Sequence, residues 1–280
     1  MPLSINTNIA SLTAQRSFLN SNSALETAFE RLSTGKRINS ASDDAAGLAI
    51  ATELNSRVSG LNQAVRNVND GLSMVQIMEG TYDEVTSILQ RMRDMAVQAA
   101  NGSLSSTEQG YLETEQTALQ SALTDALEQA TFGSTALITA EDTSGTSLST
   151  SIDIQTGANT GDRVSLTISS ASGSNITALG ITAIDLDSAA TAAIGLADAA
   201  IGIVATQRAQ LGAYQSQLES TVRNLSNVAE NTAAAAGRIM DTDYAAETAN
   251  LTKAQILQQA ATSVLAQANA QPQAVLALLQ

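Results

Sequence analysis

The chain has 280 residues, a net charge of −14, 44% hydrophobic and only 2% aromatic residues, and no histidine, cysteine or tryptophan. Without histidine or cysteine the commonest general base, the commonest metal ligand and all thiol and disulfide chemistry are excluded. The strong acidity argues against nucleic acid and anionic membranes as partners. Ala, Leu, Val and Ile must supply the buried area, and small aliphatic side chains suit long helix seams better than a deep globular core.

The first 35 residues carry Ile5, Ile9, Leu12, Leu19, Leu25, Phe29 and Leu32 among many Asn, Ser, Thr and Ala. This start lacks the basic and apolar regions of a secretory signal, and no stretch is expected to reach the ~20 uncharged apolar residues of a bilayer span. A long helix should follow. Asp43 and Asp44 suit its N-terminus, with Ser40 to Asp43 resembling a capping box, and Asn101-Gly102 its end. Its 3/4-spaced seam reads Leu54, Val58, Leu61, Val65, Val68, Leu72 and Val75. After a one-residue slip it resumes at Met78, Tyr82, Val85, Leu89, Met92 and Ala96. Gly47, Gly60, Gly71 and Gly80 should weaken it locally.

Ser105 and Glu108 form a capping box for a shorter helix ending near Gly133, with Leu112, Leu119, Leu123 and Ala126 as its stripe. Residues 135–187 change in texture, Ser and Thr making up 16 of the 35 residues from 143 to 177. Alternation over 148–155 and 164–168, around a turn at 156–162, predicts a β-hairpin. The next helix repeats Ile194, Ala197, Ile201, Val204, Arg208, Leu211, Gln215, Leu218, Val222, Leu225 and Ala229, to about Gly237. The C-terminal stretch carries Ile256, Leu257, Val264, Leu265, Val275, Leu276, Leu278 and Leu279.

The fold expected is mainly α: an elongated antiparallel, coiled-coil-like helical bundle with a small β-hairpin. Residues 43–239 would form a helical rod, and 1–42 with 240–280 a pair of terminal helices. One such pair buries too little surface to offset its ordering cost, so the ends should fold only when packed against something else, other copies being the first choice. No site for catalysis, cofactor or metal emerges. The loop Gly157–Arg163 lacks the closing Gly-Lys-Ser/Thr of a phosphate cradle, and Asp43-Asp44 and Asp241-Thr242-Asp243 sit where helix caps belong. Arg91 and Arg93 read as a solvated face.

Three segments resemble bacterial flagellins. These are Glu30-Arg-Leu-Ser-Thr-Gly-Lys-Arg-Ile-Asn-Ser-Ala-Ser-Asp-Asp-Ala-Ala-Gly47, Leu89-Gln-Arg-Met-Arg-Asp-Met-Ala-Val-Gln98 and Leu251 to Asn269. The resemblance covers roughly 1–133 and 190–280. It implies a non-enzymatic subunit that polymerises with many copies of itself into the extracellular flagellar filament used for motility. It also implies unfolded export through the flagellar machinery, with an export chaperone and with cap and junction proteins as partners. Many flagellins carry a large insertion where this chain has about fifty residues, so a short form lacking the outer domains is expected. In the family a vertebrate Toll-like receptor reads an arginine, a leucine four residues on and a glutamate of the next helix, which match Arg91, Met95 and Glu115. The self-assembly residues would be Ile5, Ile9, Leu12, Leu19, Ile256, Leu257, Val264 and Leu265. A hook–filament junction protein is the alternative. A secreted adhesin or hydrolase using the Ser/Thr-rich middle is a remote one.

Overall fold

The computed structural model describes residues 8–138, 150–168 and 186–278. Helix α1 spans Ile9–Thr34, α2 Ala45–Ala99 and α3 Ser106–Glu128. Two short strands, β1 Thr131–Phe132 and β2 Thr135–Ala136, and a second pair, β3 Thr150–Gln155 and β4 Arg163–Ile168, precede α4 Leu186–Met240 and α5 Tyr244–Leu278. The mainly helical fold with a β-hairpin is as the residue pattern predicts. The β1–β2 pair, turning at Gly133 with φ +62°, is not foreseen.

Residues 1–58 with 230–280 form one compact unit and residues 59–229 another, so the division falls inside α2 and α4. In the first unit, the links flanking α1 and α5 are tied together. The Arg37 amide donates to the Met240 carbonyl (2.6 Å), the Thr242 amide to the Gly35 carbonyl (3.0 Å), and the Arg37 guanidinium to the Ile239 carbonyl (2.8 Å). Gly35 ends α1 in the left-handed region, where a Cβ would also meet the Tyr244 hydroxyl. Ser40 to Asp43 does not form the capping box of α2 read from the sequence. Asp43 closes the preceding turn, accepting from the amides of Ser40 and Asn39, which holds its carboxyl below the usual range. Asp44 caps α2 by accepting from the Gly47 amide at 2.9 Å. Asp243 caps α5 through the amides of Ala245 and Ala246. Gly237 is not a stop, since α4 runs on to Met240.

In the second unit, α2 buries Leu61, Ala64, Val68, Val75, Met78, Tyr82, Val85, Leu89, Met92, Ala96 and Ala99, and Gly71 lies inside too. The 3/4 spacing runs unbroken from Leu61 to Ala99, so no slip occurs at Met78. Ala64 and Gly71 hold the positions assigned to Val65 and Leu72. The reason is the hairpin. Ile154 and Leu166 point into the core, and a Cβ on Gly71 would collide with Ile154, one on Gly60 with Ala158. Asn67 donates to the Gln155 carbonyl, and the Tyr214 hydroxyl of α4 bridges the amide and carbonyl of Thr167. On the outer face Asp153 accepts from Ser165 and Arg163 across the strands.

Helix α4 contributes Ala193, Ala197, Ala200, Val204, Leu211, Leu218 and Leu225 to the core. Six predicted seam residues, 197, 204, 211, 218, 225 and 229, are buried, but Ala193, Ala200 and Gln207 replace Ile194, Ile201 and Arg208 as inward neighbours. Arg208 instead pairs with Asp83 of α2 at 2.7 Å. Within Ala190–Met240 lies an alanine-rich stretch long and apolar enough to cross a membrane, contrary to the sequence expectation. In this chain its inward alanines line the helical core. Helix α3 opens with the predicted Ser105–Glu108 capping box, and buries Gln116, Leu123 and Leu127 rather than Ala126.

Candidate assembly surface

Helix α5 repeats its inward residues with strict 4/3 spacing: Glu247, Leu251, Ala254, Gln258, Ala261, Leu265 and Ala268. Every one is buried or half-buried. On α1 the matching set is Ser11, Ala14, Phe18, Ser21, Leu25, Ala28 and Leu32. Small residues on both helices let them approach closely, and the Cα traces of α1 and α5 run within 8 Å of each other. They run antiparallel. At one end Asn8 donates to the Ala268 carbonyl (2.8 Å) and Ser11 to Asn269 (2.7 Å). Gln258 donates to Asn22 at 3.1 Å near the middle, and Arg31 meets Glu247 at 3.9 Å at the other end.

Because the seam is small, the large apolar side chains are left outside. Ile9, Leu12, Leu19, Ile256, Leu257 and Val264 are between 47% and 68% exposed. An exposed apolar set on this scale marks an interaction surface. Electrostatics offers little opposition to burying it, since α5 carries one acid, Glu247, and one base, Lys253. Of the eight residues singled out from sequence, Leu265 belongs to the inward seam and is half-buried. Ile5 lies outside the described residues. Sequence reasoning followed the large aliphatics and overlooked the alanines, whose seven-residue recurrence at 254, 261 and 268 was the available signal.

The other predicted cluster is split by the fold. Arg91 and Glu115 do meet, the guanidinium donating to Glu115 Oε1 through Nη2 at 2.6 Å and Nε at 3.0 Å, and both stay largely solvent-exposed. Met95 does not share that surface. It is 1% exposed, in the stretch of α2 that also buries Met92, Ala96 and Ala99. Spacing of i, i+4 therefore did not give a common accessible face. Arg93, two residues from Arg91, bonds Asp198 of α4 instead of standing free.

Helices that keep alanines inside and present leucine, isoleucine and valine outward define a self-associating structural subunit. Comparison with known proteins agrees. Residues 5–143 match the bacterial flagellin N-terminal helical region and residues 194–279 the bacterial flagellin C-terminal helical region. A flagellin of Halalkalibacterium halodurans is 41% identical over 278 residues, covering 99% of each chain. The flagellar filament 33 kDa core protein of Treponema phagedenis is 38% identical with 99% of each chain covered. Flagellin A of Vibrio anguillarum is 35% identical over an alignment of 379 residues that covers both chains fully, so that relative is longer. The chain belongs to the bacterial flagellins, in a short form, and is a structural subunit of the extracellular flagellar filament.

Proposed function

We propose that polymerisation is driven by the outward face of the α1–α5 pair, Ile9, Leu12 and Leu19 with Ile256, Leu257 and Val264, which is buried against other copies and orders the ends as it is covered. The observation that carries this reading is the exposure of those side chains beside an alanine seam. Burying a large aliphatic side chain contributes about 1.5–3 kcal/mol, and a filament repeats that gain at every subunit. The chain has no catalytic role in this reading. Unfolded export with an export chaperone, and contact with cap and junction proteins, accompany it, and a chain without cysteine cannot be trapped by disulfides on the way. Growth on sheared filament seeds tests the reading. Ile256→Ser with Leu257→Ser and Val264→Ser should stop elongation while the fold of residues 59–229 persists; elongation at the parent rate overturns it. A junction protein would fail to extend seeds even in the parent.

We further propose that Arg91 and Glu115 form the contact for a Toll-like receptor on the free subunit, with Met95 acting from beneath as packing for α2. Both charges are solvent-facing, which supports the reading. Arg91→Ala with unchanged helicity should weaken receptor binding at least about tenfold, as loss of a central interface arginine does. Binding equal to the parent defeats it.

A further inference from the structure

The α1–α5 seam nearly repeats itself after seven residues. On α1 the large inward residues Phe18, Leu25 and Leu32 stand one heptad apart, and on α5 Ala254, Ala261 and Ala268 do the same. The cross-helix bonds bring residue 22 to 258 and residue 31 to 247. Carried along both helices, that pairing sets Phe18 over Ala261, Leu25 over Ala254 and Leu32 beside Glu247. Moved by one heptad towards the connector, about 10 Å, α5 would set Phe18 over Ala268, Leu25 over Ala261 and Leu32 over Ala254. In the shifted register all three large side chains meet an alanine, and in the observed one Phe18 and Leu25 do. Apolar fit alone therefore does not select the observed register.

The polar residues do discriminate. In the shifted register Gln258 leaves Asn22 and arrives opposite Ala28, and Arg31 loses Glu247 and faces apolar helix. The polar layers also look poorly designed for stability alone. Glu247 is 8% exposed in a seam of alanines and leucines, its distance to Arg31 is 3.9 Å, and Arg31 Nε and Thr242 Oγ1 nearby are buried with no partner. Polar groups in a helical seam commonly fix register at some cost in stability. We propose that Arg31–Glu247 and Asn22–Gln258 are the register-setting residues of the terminal helix pair. They act together with the backbone bonds that tie residues 35–37 to 240–242, which a shift would also have to open. This inference concerns pairing within one chain and stands independently of how the outward face is used.

The full chain contains no cysteine, so introduced thiols report cleanly. Leu25→Cys with Ala254→Cys reads the observed register, and Leu25→Cys with Ala261→Cys the shifted one. With all other residues unchanged, oxidation should close the first pair and leave the second largely open. Adding Glu247→Ala and Gln258→Leu should raise the shifted product about tenfold, the change expected when one or two polar contacts are lost. Glu247→Gln, which can still accept from Arg31, should retain the original pattern. If the doubly substituted chain closes only the 25–254 pair, the connector or the apolar fit sets the register and the proposal fails. If it closes neither pair, the apolar seam cannot hold the helices in either register, and the proposal fails as well.

Discussion

The unit of residues 59–229 and the terminal helix pair use the same heptad spacing for opposite ends. In the first, Met78, Leu89, Met92, Leu211 and Leu218 are fully buried, so the large apolar side chains are covered within one chain. In the second, the buried residues are chiefly Ala14, Ala28, Ala254, Ala261 and Ala268, while leucine, isoleucine and valine face out. Alanine seams bring backbones close but remove little apolar area from water per residue. The difference teaches that inward spacing and inward size are separate choices. A seam of small residues closes a helix pair while keeping its large apolar groups available to other chains.

Substitutions can break or sharpen that contrast. Leu218→Ala empties a fully buried position in α4 and should lower stability by about 2–5 kcal/mol. Leu257→Ala, at 47% exposure, should change the free subunit by under about 0.5 kcal/mol yet impair filament growth. Thermal melts of the free subunit beside seeded elongation check both; equal melting shifts would erase the distinction. Gly71→Ala comes next. The new methyl meets Ile154, and overpacking of about 1–3 kcal/mol outweighs the helix propensity gained, about 1 kcal/mol. A net loss near 1 kcal/mol is expected in the melt, eased by adding Ile154→Val.

The smallest effect is electrostatic. Glu108 accepts from the Ser105 amide and hydroxyl, which holds its carboxyl below the usual range. A folded-state pKa lowered in this way contributes stability above the ordinary carboxylate range, and that contribution is lost as pH falls through the depressed value. Glu108→Gln should therefore melt slightly earlier than the parent at neutral pH. The two should converge once the pH has fallen below the depressed folded-state value, where the carboxyl is protonated in both the folded and the unfolded chain. A gap that widens in acid would contradict the sign.

Much of this architecture was legible in the residues. The positions of α2, α3 and α4 follow from 3/4 spacing, the ends of α2 and the start of α3 from capping residues, and the β3–β4 hairpin from alternation around a Gly- and Asn-containing turn. What misled was the preference for large side chains. Val65 and Leu72 looked more core-like than Ala64 and Gly71, because the Ile154 side chain that fills the space above Gly71 comes from a strand more than eighty positions away. The same preference drew attention to Leu257 and Val264 and away from Ala254 and Ala261. Met95 was misplaced for a related reason, since sharing a helix face with Arg91 says nothing about whether that face turns inward. Arg91 and Glu115 were brought into one cluster only by the family resemblance, and their ion pair, like that of Arg93 with Asp198, needed the structure.

The central claim is that the outward apolar face of α1 and α5 is satisfied between subunits and not within one. Amide hydrogen exchange across residues 256–265, measured on the free subunit and on assembled filaments, tests it most directly. The account predicts rapid exchange in the free subunit, because a pair closed by alanines opens easily, and slow exchange in the filament, while the amides around Leu89 and Leu218 stay protected in both. Strong protection of Ile256 to Leu265 in the free subunit, unchanged on assembly, would contradict it.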